Sequence, residues 1–417
     1  MAPEGDNLGV ATVIEAAQAA AWEPRYARRA GRMAASEIRE LLKVLDQPGV
    51  VSFAGGIPDP ALFPVEEAKA AYAAALGAPV NGLQYSVSEG YLPLRQWIVR
   101  HMGRLGVPCE EDNVVITCGS QQGLEFLGRL LLSPGDTALA TAPTYLGALQ
   151  AFSAYEPRYD ELGPDKANRT PASYADAAAT AGGRVKFAYV VSDFANPTGE
   201  TMSLLARERL LDLATELDIP IIEDSAYSAL RFEGEPIPAI QALDIARGGS
   251  LDVARTIYCG TFSKTMSPGL RIGWIVAGKP LIRRLVLIKQ ASDLNSANVN
   301  QMVMHKLVES TYEGQVTTAR AHYRRRRDAM LAALARHMPD GVTWTQPQGG
   351  LFVWVRLPHG CDGAALLERS VQEAGVAFVP GGAFFFDGSR RNTMRLSYSL
   401  PDEATVGDGI RRLASLI

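Results

Sequence analysis

The sequence predicts an α/β protein: a doubly wound, mostly parallel sheet joined to a second, smaller α+β domain. Short apolar runs alternate with longer amphipathic stretches through the middle of the chain, which is the pattern of successive βαβ units. From about Leu281 the character changes to long helical stretches followed by two strand-like segments. The length, 417 residues, exceeds what one ordinary core serves and is enough for two domains with large interiors.

Taken in order, residues 1–30 read as an N-terminal arm. Glu4, Asp6 and Glu15 replace the basic start of a signal peptide and break its apolar run. Residues 31–60 are expected to complete the small domain, and 61–300 to form the large one. Strands are predicted there at Val114–Thr117, Thr137–Thr141, Lys186–Val191, Ile219–Glu223, Thr256–Cys259 and Arg271–Ala277. Helical patterns lie between most of them, for example Gln121–Leu132 and Ser203–Leu217. The long helical stretch after Leu281 leads into a small domain over 301–417, with strands at Gly350–Leu357 and Thr393–Tyr398. Arg324–Arg327, beside Asp328, reads as a solvated helix face and not as a phosphate or nucleic-acid patch.

Composition narrows the function classes. A net charge of −4 gives no general attraction to nucleic acid or anionic membrane, and no run approaches the ~18 apolar residues of a membrane span. Cys109, Cys118, Cys259 and Cys361 are scattered, as expected for free thiols in a reducing, cytoplasmic compartment. The five histidines show no ligand spacing, so no metal site is expected.

The reactive residues fall in one kind of place. Ser120, Gln121, Tyr145, Asn196, Asp224 and Lys264 each follow a predicted strand, and ligands of such sheets bind outside the carboxyl ends of the strands. The Gly119-Ser120-Gln121-Gln122-Gly123 turn would leave backbone N–H groups free at a helix N-terminus for a phosphate, although small residues there also serve as plain caps. Asn196-Pro197-Thr198-Gly199 is either an ordinary turn or an amide aimed at an anionic ring oxygen. Asp224 ends a wholly apolar strand, where a carboxylate needs a partner, and a pyridinium nitrogen is suitable. Tyr227 is close enough to reach the same ring's oxygen. Lys264 follows Gly260-Thr261-Phe262-Ser263 at the exit of a buried strand, where an amine loses its proton readily and can form a Schiff base. Thr261, Ser263 and Arg271 supply hydroxyls and a donor fork for phosphate. Arg395, on a strand of the second domain, is either a clamp for a substrate α-carboxylate or half of a structural ion pair.

Together these segments resemble the fold-type I, class I/II aminotransferases, and most closely the branch of 2-aminoadipate, kynurenine and broad-specificity aromatic or leucine enzymes. The resemblance runs from about Met33 to Leu413 and includes Ser36-Glu37-Ile38-Arg39, Ser52-Phe53-Ala54-Gly55-Gly56-Ile57-Pro58, Leu83-Gln84-Tyr85-Ser86, Gly349–Trp354 and Phe378–Gly382. It implies a homodimer using pyridoxal 5'-phosphate to move the α-amino group of an L-amino acid to a 2-oxo acid such as 2-oxoglutarate. Lys264 would be the Schiff-base lysine and proton shuttle, with Asp224 on the pyridine nitrogen, Asn196 and Tyr227 on the ring oxygen, and Tyr145 stacked on the ring. Ser120, Gln121, Thr261, Ser263 and Arg271 would hold the phosphate, joined by Tyr85 across the dimer. Arg395 and Asn196 would bind the α-carboxylate, and Ser36, Arg39 and Gly56 would close over the side chain.

One departure stands out. Before Asn-Pro-Thr-Gly this branch usually carries a Pro-containing, Gln-bearing segment, but here the residues are Val191-Ser192-Asp193-Phe194-Ala195. Asp193, near the site mouth, either alters side-chain preference or is simply solvated, the second being the expectation. A racemase or β-lyase would share Lys264, Asp224 and Arg395 and is the alternative. A ligand-sensing transcription regulator would need a helix-turn-helix module that some thirty residues do not supply. A nicotinamide dehydrogenase would need a G-x-G-x-x-G turn that the Ser120 segment lacks.

Overall fold

A computed structural model describes residues 22–32, 49–77, 82–163 and 168–417. The strands are β1 (Val51–Ser52), β2 (Val114–Thr117), β3 (Thr137–Thr141), β4 (Arg158–Leu162), β5 (Val185–Val190), β6 (Ile221–Asp224) and β7 (Thr256–Thr261). Then follow β8 (Gly273–Val276), β9 (Thr343–Trp344), β10 (Phe352–Arg356), β11 (Val376–Ala377), β12 (Val379–Pro380) and β13 (Thr393–Ser397). Seven of them form one sheet in the order β2-β8-β7-β6-β5-β3-β4. Only β8 is antiparallel to its neighbours β2 and β7.

Strands β2, β6, β7 and β8 are buried at every residue, because helices cover both faces of the sheet. This is why their sequences are apolar without alternation. The exception is β4, an edge strand of sequence RYDEL with only Leu162 buried, and the apolar-run criterion passes over it. Predicted and observed ends otherwise differ by a few residues.

The helical stretch after Leu281 is two helices, Lys279–Ser292 and Asn298–His337. The second is 40 residues long. Its first half packs Met302, Val303, Met304, Leu307 and Tyr312 against Ile116 and Trp274 of the large sheet. Its second half packs Tyr323, Met330 and Leu334 into a cluster with Phe352, Val376 and Leu396. The remaining strands form a four-stranded sheet, β12-β13-β10-β9, and a β1-β11 pair. Tyr258, Cys259, Gly260 and Thr261 of β7 face β8 in register, so the segment that leaves β7 and the one that enters β8 share an edge of the sheet.

Candidate active site

The parallel strands bring their carboxyl ends to one edge, where a cavity is lined by Gly56, Ser120, Gln121, Tyr145, Asn196, Asp224, Tyr227, Thr261, Ser263, Lys264, Arg271 and Arg395. After β2 the chain turns at Gly119 into the helix Gly119–Leu131. Gly119 has φ +73°, and a Cβ there would stand 2.4 Å from Arg271 Nη2. A Cβ on Gly273 would lie 2.6 Å from Ser120 N. The two glycines let a guanidinium and a helix N-terminus converge, which makes a cup for an anion. Arg271 also donates to Cys118 O at 3.3 Å and to Pro268 O at 3.2 Å. The Thr261 hydroxyl lies 2.9 Å from Ser263 Oγ and accepts from Ser263 N–H at 3.1 Å. Gln121 donates to Gly147 O at 2.6 Å and meets the Tyr145 hydroxyl at 3.4 Å.

At the end of β6 two adjacent carboxylates point to opposite faces, as strand geometry requires. Glu223 is paired: it accepts from Ser192 Oγ at 2.8 Å and from the N–H groups of Ile240 and Gln241 at 2.9 and 3.0 Å. Asp224 faces the cavity. Its Oδ2 accepts from the Tyr189 hydroxyl at 2.8 Å, and its buried Oδ1 has no hydrogen-bond partner among the described residues. Burial pushes the Asp224 carboxyl up to about 6, against the smaller effects of Tyr189 and Lys264.

Lys264 projects into the same cavity and donates to Gly56 O at 2.9 Å. Burial, then the positive charges of Arg395 and Arg271, lower its amine to about 8; Asp224 opposes them. An amine so tuned is roughly one tenth neutral at pH 7 and half neutral at pH 8, a far larger nucleophilic fraction than an ordinary lysine has.

Arg395 on β13 is 2% exposed, and no carboxylate lies within ion-pair distance of it among the described residues. Nη1 donates to Asn196 Oδ1 at 2.7 Å and Nη2 to Ala54 O at 2.5 Å, while buried Nε has no partner. The Phe352 and Phe384 rings stand 4.4 and 5.1 Å from its guanidinium carbon. Burial lowers it to about 10, which leaves it charged at neutral pH. An unpaired buried guanidinium is costly and is relieved by a carboxylate ligand. Among the described residues, the structural ion pair that the sequence left open is not found. Burial also raises the Tyr227 hydroxyl well above its usual range.

All ten residues expected around the cofactor line this one cavity, as do Gly56 and Arg395. Ser36 and Arg39 lie outside the described residues. Tyr85 is not in the cavity lining and is 78% exposed. Asp193 corrects the sequence reading: it is not solvated but 6% exposed, held by Arg207 at 3.0 Å and Arg231 at 2.7 Å. The Arg324–Arg327 run is also only half a solvated face. Arg326 is buried against Asp59 at 2.7 Å, and Arg327 against Glu233 at 2.6 Å. Sequence reading does not single out Tyr189 or the carbonyls of Ala54 and Gly56; their only sequence signal is a tyrosine one place before the end of β5 and a glycine-rich turn.

The groups present fit pyridoxal phosphate: an orphaned buried carboxylate oxygen for a protonated ring nitrogen, an anion cup, and a near-neutral amine between them. Comparison with known proteins decides the family, because residues 49–413 match the model of aminotransferase class I and II. The chain belongs to this family. It is 41% identical to aromatic-amino-acid aminotransferase 1 of Thermococcus litoralis, over 95% of this chain and 94% of that one. The α-aminoadipate aminotransferase of Thermus thermophilus, solved with N-(5'-phosphopyridoxyl)-L-leucine, superposes with a TM-score of 0.85 at 39% identity, covering 95% of this chain and 97% of that one. The kynurenine aminotransferase of Pyrococcus horikoshii superposes with a TM-score of 0.87 at 40% identity, covering 94% and 97%. This class I/II aminotransferase is thus a pyridoxal-phosphate-dependent enzyme, which favours amino transfer over the racemase and lyase readings. No helix among the described residues is long and apolar enough to cross a membrane.

Proposed function

We propose that the enzyme transfers the α-amino group of an aromatic, 2-aminoadipate-type or branched-chain L-amino acid to a 2-oxo acid such as 2-oxoglutarate. The observation that carries the α-amino-acid part is Arg395, a buried cation with no acidic partner among the described residues, in a cavity that also holds the Lys264 amine. The side-chain classes rest on the relatives, one named for aromatic amino acids and one for α-aminoadipate, the latter solved with an L-leucine adduct.

Lys264 would hold the cofactor through its amine, Ser120, Gln121, Thr261, Ser263 and Arg271 its phosphate, and Asn196 and Tyr227 its ring oxygen. When bound, pyridoxal phosphate supplies an aldehyde that takes the amino group and a ring that withdraws electrons from the substrate's Cα. Asp224 keeps a proton at the ring nitrogen through Oδ1. Arg395 fixes the α-carboxylate with its Nε and the terminal hydrogens not bound to Asn196 and Ala54. The Lys264 amine would take the Cα proton and return it to the carbon two atoms away, across the nitrogen, a 1,3-shift. Tyr145 would cover one face of the ring and keep water from it, and Gly56 would close over the side chain, where Ser36 and Arg39 are proposed to join it.

The active unit is proposed to be a homodimer in which Tyr85 reaches the partner's phosphate. Leu83, Tyr85 and Val87 are 74, 78 and 55% exposed, an apolar strip that an interface would cover. We propose a large domain over 61–300 and a small one over 31–60 with 301–417, the helix Asn298–His337 packing against both. Four unpaired cysteines suit a cytoplasmic site of action. The test is product analysis with a panel of donors and 2-oxoglutarate. Equimolar 2-oxo acid and glutamate are expected, and inversion of the donor without oxo-acid formation would refute transfer.

A further inference from the structure

We infer that Tyr189 is a positioning residue for Asp224: its hydroxyl occupies one carboxylate oxygen and turns the other, unbonded, toward the cofactor's ring nitrogen. The inference rests on the reading of Asp224 given above.

Strand pairing explains the contact. Tyr189 of β5 lies directly opposite Ile222 of β6. Asp224, two residues further on, is therefore on the same face of the sheet, and a tyrosine is long enough to reach a diagonal neighbour. Both residues are buried, at 1 and 3% exposure, and the hydroxyl donates to Oδ2 at 2.8 Å. The phenol ring is held edge-on by Phe152, with centroids 5.8 Å apart. A carboxyl group is otherwise loosely set about its terminal torsion, which has a broad two-fold profile. One fixed hydrogen bond removes that freedom, and here it divides the two oxygens into one satisfied within the sheet and one with no partner.

The electrostatics agree with this geometry. Burial raises the Asp224 carboxyl, and the bond from Tyr189 is the largest effect opposing it. Without the hydroxyl, Asp224 would hold its own proton more tightly and be a poorer counter-ion for a protonated ring nitrogen. A buried tyrosine with a purely structural role also needs an acceptor, so the contact by itself does not separate the two roles. Here the acceptor is the one cavity-facing carboxylate among the described residues, and the consequences of losing it differ.

The test uses Tyr189→Phe, which removes only the hydroxyl and preserves ring volume. Cofactor affinity is titrated on the cofactor-free full-length protein, wild type and variant. Two ligands are used: pyridoxal phosphate, and an analogue with C–H in place of the ring nitrogen. The expected result is roughly ten-fold weaker binding of pyridoxal phosphate by the variant, with analogue binding unchanged. A second readout is kcat with the best donor, expected to fall roughly ten-fold while KM for the donor stays within about three-fold. Thermal melting of the cofactor-free proteins reports folding. Equal loss of affinity for both ligands, or none for either, would overturn the inference, since a structural role does not depend on the ring nitrogen. Affinity is read without turnover, so wild-type protein that binds pyridoxal phosphate but transfers no amino group would refute the proposed function and still test the role of Tyr189.

Discussion

Asp224→Asn removes a charge that is expensive to bury while leaving an oxygen to accept from Tyr189. The carboxyl rises from an ordinary 3.8 to about 6 in the folded chain. That difference corresponds to about 3 kcal/mol by which the folded, cofactor-free protein is destabilised once Asp224 ionises. Asparagine avoids this but places an amide where Oδ1 now lies, leaving a buried donor without a partner, at a cost of about 1–2 kcal/mol. The net expectation is a cofactor-free variant more stable than wild type by about 1–2 kcal/mol at pH 8. The sign fixes the pH window. A raised folded-state pKa means the folded chain binds the proton more tightly. The penalty is therefore absent below about pH 4, grows between about 4 and 6, and is complete above. Urea denaturation of both proteins at pH 4, 6 and 8 measures it. A variant less stable than wild type at pH 8, or a difference that does not change across this range, would refute the reasoning. Activity is expected to fall by orders of magnitude in the same variant, because stability and function conflict at this residue.

Other perturbations follow from single contacts. Arg395→Lys keeps the charge but loses the planar fork, and KM for the amino donor is expected to rise about a hundred-fold, read by steady-state kinetics. Asp193→Asn leaves the fully buried Arg207 without its counter-ion and should destabilise the fold by about 3 kcal/mol in urea denaturation. In the cofactor-free protein, the rate at which Lys264 captures an aldehyde should rise with pH and level off above about 8, since only the neutral amine attacks. A midpoint near that of an ordinary lysine would contradict the electrostatics of the site.

Much of the site was legible because strand ends are legible. The runs preceding Ser120, Tyr145, Asn196, Asp224 and Lys264 are apolar, and a shared sheet edge brings their exits together. Arg271 differs: it precedes its strand, and it joins the site because β8 runs antiparallel and starts where β7 ends. The polar edge strand β4 escaped because an edge strand need not be apolar. Asp193, Arg326 and Arg327 were misjudged for another reason. Apart from Asp328 beside Arg327, their counter-charges lie 14 to 267 residues away in sequence, and a charge whose partner is distant looks solvated. Tyr189 was invisible because a tyrosine in an apolar strand reads as core, and only the register between β5 and β6 gives its hydroxyl a target.

The central claim is that Lys264 carries the cofactor. Borohydride reduction of the holoenzyme, followed by peptide mass spectrometry, tests it most directly. A phosphopyridoxyl adduct on the peptide containing Lys264, absent from Lys264→Ala, is the expected result. An adduct on another lysine, or none on protein that shows the visible absorption of the bound cofactor, would contradict it.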